Sequence, residues 1–126
     1  MNVTHQPYQD TKDLASLIVG NTIAKGGTTV GRHGEEAPII GYVVGGKTTT
    51  LTLSFSEKRS TIELEVARWI ERQPTLVKWI GGWVSDGKIV FDTCDVIPTR
   101  IEAEVLGIAR KQEAIYSLAA QRDINL

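Results

Sequence analysis

The chain has 126 residues, 41% hydrophobic and 23% charged, with a formal net charge of −1 at pH 7. This length and composition fit one globular domain with a modest core, and the balanced charge excludes a general electrostatic pull toward nucleic acid or a membrane surface. A lone cysteine, Cys94, excludes an internal disulfide, and no apolar run approaches the roughly 18 residues of a membrane-spanning helix.

Met1 to Tyr8 has neither the basic start nor the apolar stretch of a secretory signal, so a cytoplasmic location is expected. Residues 1–9 read as a loose lead-in. Asp10 or Thr11 can cap a first helix running to about Ala24, with Leu14, Leu17, Ile18 and Asn21 on one face. Gly20 weakens it and is a candidate early end, and Lys25 followed by Gly26 and Gly27 is a stop signal. Thr28 to Val30 is a short strand candidate, and Gly31 to Glu36 a polar loop. A hairpin is expected over 39–55, with strands 39–44 and 47–55 about a Gly45–Gly46 turn.

Ser60 and Glu63 form a capping box opening a helix with Ile62, Val66, Trp69 and Ile70 on one face, and Pro74 closes it. A second hairpin spans Leu76 to Cys94. Asp86–Gly87 between two apolar runs is the strongest short-range turn signal, and it pairs Val84 with Ile89, Trp83 with Val90, Gly82 with Phe91 and Trp79 with Cys94. In that register the Phe91 ring can cover the bare glycine at 82. Thr99 and Glu102 make another capping box after Pro98, and Ile101, Val105, Ile108 and Ala109 read as the buried stripe of a helix to about Lys111. Ala114 to Leu118 reads as a final strand, although Ile115 and Ala119 also fit a continuing helix. Residues 120–126 read as a loosely held tail. The order implies a single α+β domain: a mostly antiparallel sheet of two hairpins plus short strands, packed by about three helices.

Gly41 to Thr48 matches the phosphate-loop pattern G-x-x-x-x-G-K-[ST] letter for letter. A working phosphate loop needs a helix beginning at the Lys-Ser/Thr, so that backbone N–H groups and the helix dipole meet the phosphates. Here Thr48 to Phe55 alternates, with Leu51, Leu53 and Phe55 on one face and Thr50, Thr52 and Ser54 on the other, which is strand patterning. The string therefore reads as a hairpin turn with Lys47 in solvent. The alternative is a nucleotide site using Gly46, Lys47 and Thr48.

Other chemistry is sparse. Cys94 lies between Asp92 and Asp95, and two carboxylates raise a thiol pKa rather than activate it; His33 is the one base that could pair with it. Asp92 and Asp95 are three apart on a strand and point to opposite faces, which argues against a shared acid–base site. His33, Glu35 and Glu36 read as a solvated loop rather than a metal site, and no cofactor is expected. Arg32, Lys47, Lys58, Arg59 and Lys88 form a candidate basic strip for nucleic acid, which the balanced charge disfavours. Trp69 reads as core. Trp79 and Trp83 share the less secure hairpin face, where exposed tryptophan marks interfaces.

From the helix that carries Trp69 to Leu118 the chain resembles small uncharacterised accessory proteins of actinobacterial phages and related mobile elements. The resemblance rests on the Gly81-Gly82-Trp83 hairpin, the strand Gly87 to Asp92 and the string Arg110 to Tyr116. It transfers no catalytic residue. It implies a non-enzymatic protein that binds a host or defence protein and modulates or inhibits it, as anti-CRISPR-type inhibitors do. The expected contact surface is Trp79, Trp83 and Lys88 on the hairpin with Arg32 and His33 on the neighbouring loop; association with further copies of the chain is also compatible.

Overall fold

One strand organises the sheet by offering partners to both of its halves. The computed structural model describes residues 6–126, and their elements in chain order are α1 Gln9–Lys25, β1 Gly27–Gly31, β2 Tyr42–Val44, β3 Thr50–Ser54, α2 Arg59–Glu71, β4 Trp79–Ser85, β5 Lys88–Ile97, α3 Arg100–Ala109, β6 Ala114–Ser117 and β7 Arg122–Asn125. The fold is α+β with an antiparallel seven-stranded sheet. Along one edge of β5 runs β4, which carries β1; along the other run β3, beside residues 88–92, and then β2, beside residues 95–97. β2 carries β6, and β6 carries β7. No helix among the described residues is long and apolar enough to cross a membrane.

The β4–β5 register matches the expected one at every pair, from Trp79↔Cys94 to Ser85↔Lys88. Asp86 and Gly87 both take positive φ, 49° and 74°, as a two-residue hairpin turn requires. The Phe91 ring does cover Gly82: a Cβ there would stand 3.1 Å from it and would also strike the Thr22 hydroxyl. The hairpin expected over 39–55 does not form. β2 and β3 run in the same direction along β5, separated by residues 45–49, which stand opposite Thr93 and Cys94. Only Gly46 of the Gly-Gly pair has positive φ, 71°, so the chain bulges without reversing. The long β5 supplies a ladder to both segments. The sheet's second hairpin is β6–β7, so the tail expected to be loose is an edge strand.

All three helices lie on one side. Alternation puts Ile89, Phe91, Thr93, Asp95 and Ile97 on one face of β5. Ile89 and Phe91 join the larger core with Leu14, Ile18, Val19, Ile62, Val66, Trp69 and Ile70 from α1 and α2. Ile97 packs on the smaller core of Val44, Ala103 and Ile115 under α3. The α2 stripe is as expected, but α1 is turned. Leu17 is exposed, Asn21 only half-buried, and Ala15, Val19 and Thr22 are buried beside Leu14 and Ile18. Thr22 donates its hydroxyl to Ile18 O at 2.7 Å and sits over Gly82. Gly20 does not end the helix, which runs on to Lys25, and the Arg59 guanidinium covers it.

The capping boxes fail. Tyr8 and Lys58 are the N-caps of α1 and α2, Thr99 that of α3, and none makes a side-chain cap bond. α3 departs furthest from its pattern. It packs through Ala103 and Gly107, where a Cβ would come within 2.6 Å of Leu126 and 3.0 Å of Ile115. Small residues bring this helix close to the sheet; Leu106 packs at the margin of the smaller core, and Ile101, Val105 and Ile108 are left outside.

Gly82→Ala is expected to cost roughly 1–3 kcal/mol, since the Thr22 and Phe91 side chains that a Cβ would meet are fully buried and cannot step aside. Gly27→Ala, where the nearest atom is 3.5 Å away, is the matched control. Urea unfolding of the two variants checks this; equal midpoints would contradict it.

Candidate functional site

Bulging at 45–49 takes backbone groups out of the ladder, and buried N–H groups need acceptors. Side chains supply them. Gly46 N–H donates to Asp92 Oδ2 at 3.2 Å, and Thr48 N–H to Thr93 Oγ1 at 2.8 Å; Lys47 N–H reaches Thr93 O at 3.1 Å. The Thr48 hydroxyl donates to Gln73 Oε1 at 2.6 Å and touches Thr93 Oγ1 at 2.7 Å. Trp69 Nε1 donates to Thr49 Oγ1 at 3.0 Å, tying the segment to α2. From the α3 side, Arg110 donates to Val44 O at 3.2 Å and Gly45 O at 3.3 Å.

Asp95 is the charged centre. It takes Lys47 Nζ at 2.8 Å on one oxygen and Arg110 at 2.6 Å on the other. Partial burial pushes its carboxyl up, but the two hydrogen bonds and two positive charges outweigh that and hold it below the usual range. Lys47 therefore does not point into solvent, as the hairpin reading required. The string also lacks the phosphate-loop geometry: β3 follows Thr48, and the anion that meets the Gly46 N–H is the protein's own Asp92.

Asp92 is only 5% exposed. Its carboxylate lies against Gly45 and Gly81; a Cβ at Gly81 would be 2.8 Å from Oδ1, and one at Gly45 closer still to Oδ2. Burial pushes its pKa up to about 6, against opposing pulls from the Gly46 N–H and the Arg110 charge. Cys94 is fully buried, and burial followed by the charges of Asp92 and Asp95 raises its thiol well above normal. That environment suits a packed cysteine and disfavours a thiolate. Among the described residues no group of three or more His, Cys, Asp or Glu is placed to hold a metal ion.

Trp79, Trp83 and Lys88 share the sheet face that carries no helix, by the same alternation that puts Ile80 and Phe91 beneath α1 and α2. Trp83 is 39% exposed and Trp79 half-buried. Arg32 and His33 follow directly on Gly31, the register partner of Trp79. His33 is exposed. The Arg32 guanidinium, however, is committed to the end of α2, donating to Gln73 O at 2.9 Å, Ile70 O at 3.3 Å, Val77 O at 3.4 Å and Pro74 O. Of the basic strip, Arg32 and Lys47 are thus engaged inside the protein, while Arg59 lies at the surface, 3.6 Å from Glu63 and over Gly20. Lys58 and Lys88 remain exposed.

No protein-family model, curated protein or solved structure matches the chain.

What the surface offers is then decided by geometry. On α3, Ile101 is 77% exposed, and Val105 and Ile108 are each 64% exposed. Their spacing of four and three puts them in one stripe, opposite Ala103 and Gly107. The stripe was visible in the sequence and its direction was not. Arg110, Thr93, Gln73 and Gln112, which hold the bulge, carry no short-range signal because their partners lie far away along the chain.

A carboxyl held at about 6 against an ordinary 3.8 costs the native state on the order of 3 kcal/mol at neutral pH. The folded state holds this proton more tightly than the unfolded chain. The cost is absent below pH 3.8, grows as pH rises, and is complete above about 6. Asp92→Asn is therefore expected to be more stable than the parent at pH 7, with the difference vanishing toward pH 4. Urea unfolding across that range checks it; a difference that does not change with pH would contradict it.

Proposed function

We propose that this chain is a non-enzymatic binding protein that takes a protein partner on the outer stripe of α3. The carrying observation is that Ile101, Val105 and Ile108 face solvent on a helix whose opposite side is docked. Scattered exposed aliphatics are ordinary, but a contiguous stripe on one helix face marks an interface. Burying such side chains is worth on the order of 1.5–3 kcal/mol each. The helix-in-groove mode of recognition reads this i, i+4, i+7 spacing. The resemblance to phage and mobile-element accessory proteins extends the reading to a host or defence protein as the one modulated or inhibited, in a cytoplasmic setting. Trp83, on the helix-free face, is the second surface the same reading can use.

The nucleotide reading is less favoured, because Lys47 is held by Asp95 and a strand follows Thr48. The nucleic-acid reading loses Arg32 and Lys47 to internal contacts.

Val105→Asp is the direct test. As a surface substitution it is expected to shift unfolding by no more than about 0.5 kcal/mol, while abolishing high-salt retention of a cellular protein on the immobilised chain. Loss of folding would show that the stripe is core. Undiminished retention, or retention lost only with Trp83→Ala, would move the contact elsewhere.

A further inference from the structure

The outer edges of the sheet are not protected alike. Beside β1 the chain folds back, with Gly31 N–H donating to Glu35 O at 2.8 Å and Val30 bridging Glu36. β7 presents Arg122 and Asp123, charges that resist further pairing. β3 has no such guard. From Thr48 to Ser56 there is neither a charge nor a proline, and Thr50, Thr52 and Ser54 are exposed.

Register fixes which groups are open. Phe55 N–H donates to Gly87 O at 2.8 Å, in line with the pairs Leu53↔Ile89 and Leu51↔Phe91. Odd-numbered residues therefore turn their backbone toward β5, and the N–H and C=O of Thr50 and Thr52 point outward with the N–H of Ser54. The Ser54 C=O accepts from Glu57 N–H at 3.2 Å.

We propose that this edge pairs with the same edge of a second copy, antiparallel about a twofold axis at Thr52, so that the sheet continues across a homodimer. The sequence Thr-Leu-Thr-Leu-Ser is self-complementary in that arrangement. Thr52 meets Thr52 of the partner subunit, Leu51 meets Leu53 of the partner subunit, and Thr50 meets Ser54 of the partner subunit. Threonines stay on the helix-free face, and the partly buried Leu51 and Leu53 gain cover on the core side. A twofold brings each group near its own copy, so a charge on this edge would repel itself; the edge has none.

So short a strand pair buries less than the roughly 1,200 Å² of a stable complex, and the dimer is therefore a concentration-dependent equilibrium.

Sedimentation velocity of the full chain, from low micromolar to submillimolar, tests this. The mass is expected to rise from 13.8 kDa toward twice that value. Thr52→Pro removes only an outward N–H, and Thr52→Lys sets like charges across the axis. Both variants are expected to stay monomeric with unchanged far-UV circular dichroism. If the proline variant unfolds, the lysine variant decides, since its side chain enters solvent. A parent chain that stays at 13.8 kDa throughout would overturn the proposal. So would a dimer that survives Thr52→Lys, including one lost instead with Val105→Asp.

Discussion

The fold depends on β5 being a ladder partner for two successive strands on the same edge. β3 and β2 hydrogen-bond to its two ends, and each belongs to a half-sheet with its own helices and its own core. Between them the ladder is interrupted, and the bulge at 45–49 must be satisfied by something other than a strand. Asp92, Thr93 and Asp95 of β5, Gln73 after α2 and Arg110 after α3 meet there. The junction thus ties the ends of α2 and α3 to the central strand. It does so with polar groups that find their partners within the protein, an arrangement that rigidifies the junction at the cost of burying the Asp92 carboxylate.

This explains why the segment resembles a phosphate loop. Both need glycines that let backbone N–H groups converge on an anion, and a lysine to balance charge. In a phosphate loop the anion is a ligand. Here it is Asp92, with Lys47 turned to Asp95. Short-range pattern shows that Gly-Gly-Lys-Thr breaks a regular element, but the identity of the anion is set by residues about 45 positions later.

That distance separates what was legible from what was not. The β4–β5 register could be read because Asp86–Gly87 fixes it locally, and the α2 stripe because Ile62, Val66, Trp69 and Ile70 pack inward as a helix period demands. Residues 39–55 were misread because local alternation cannot say whether two strands pair with each other or with a third. α3 was misread because periodicity finds a stripe without saying which side faces the sheet. Ala103 and Gly107 win that contest because the close approach to Ile115 and Leu126 leaves no room for larger side chains. The outer stripe of α3 and the open edge of β3 are accordingly features that only the fold exposes, and they are the two surfaces on which we propose protein contact.

Lys47 decides the central claim, that the glycine-lysine string is a structural tie and not a ligand cradle. The direct measurement is Lys47→Ala followed by urea unfolding and by calorimetric titration with magnesium-ATP. A lower unfolding midpoint is expected, because Asp95 loses one of its two cations, together with no saturable heat from either protein. Saturable nucleotide binding by the parent that disappears in Lys47→Ala, with the midpoint unchanged, would contradict it.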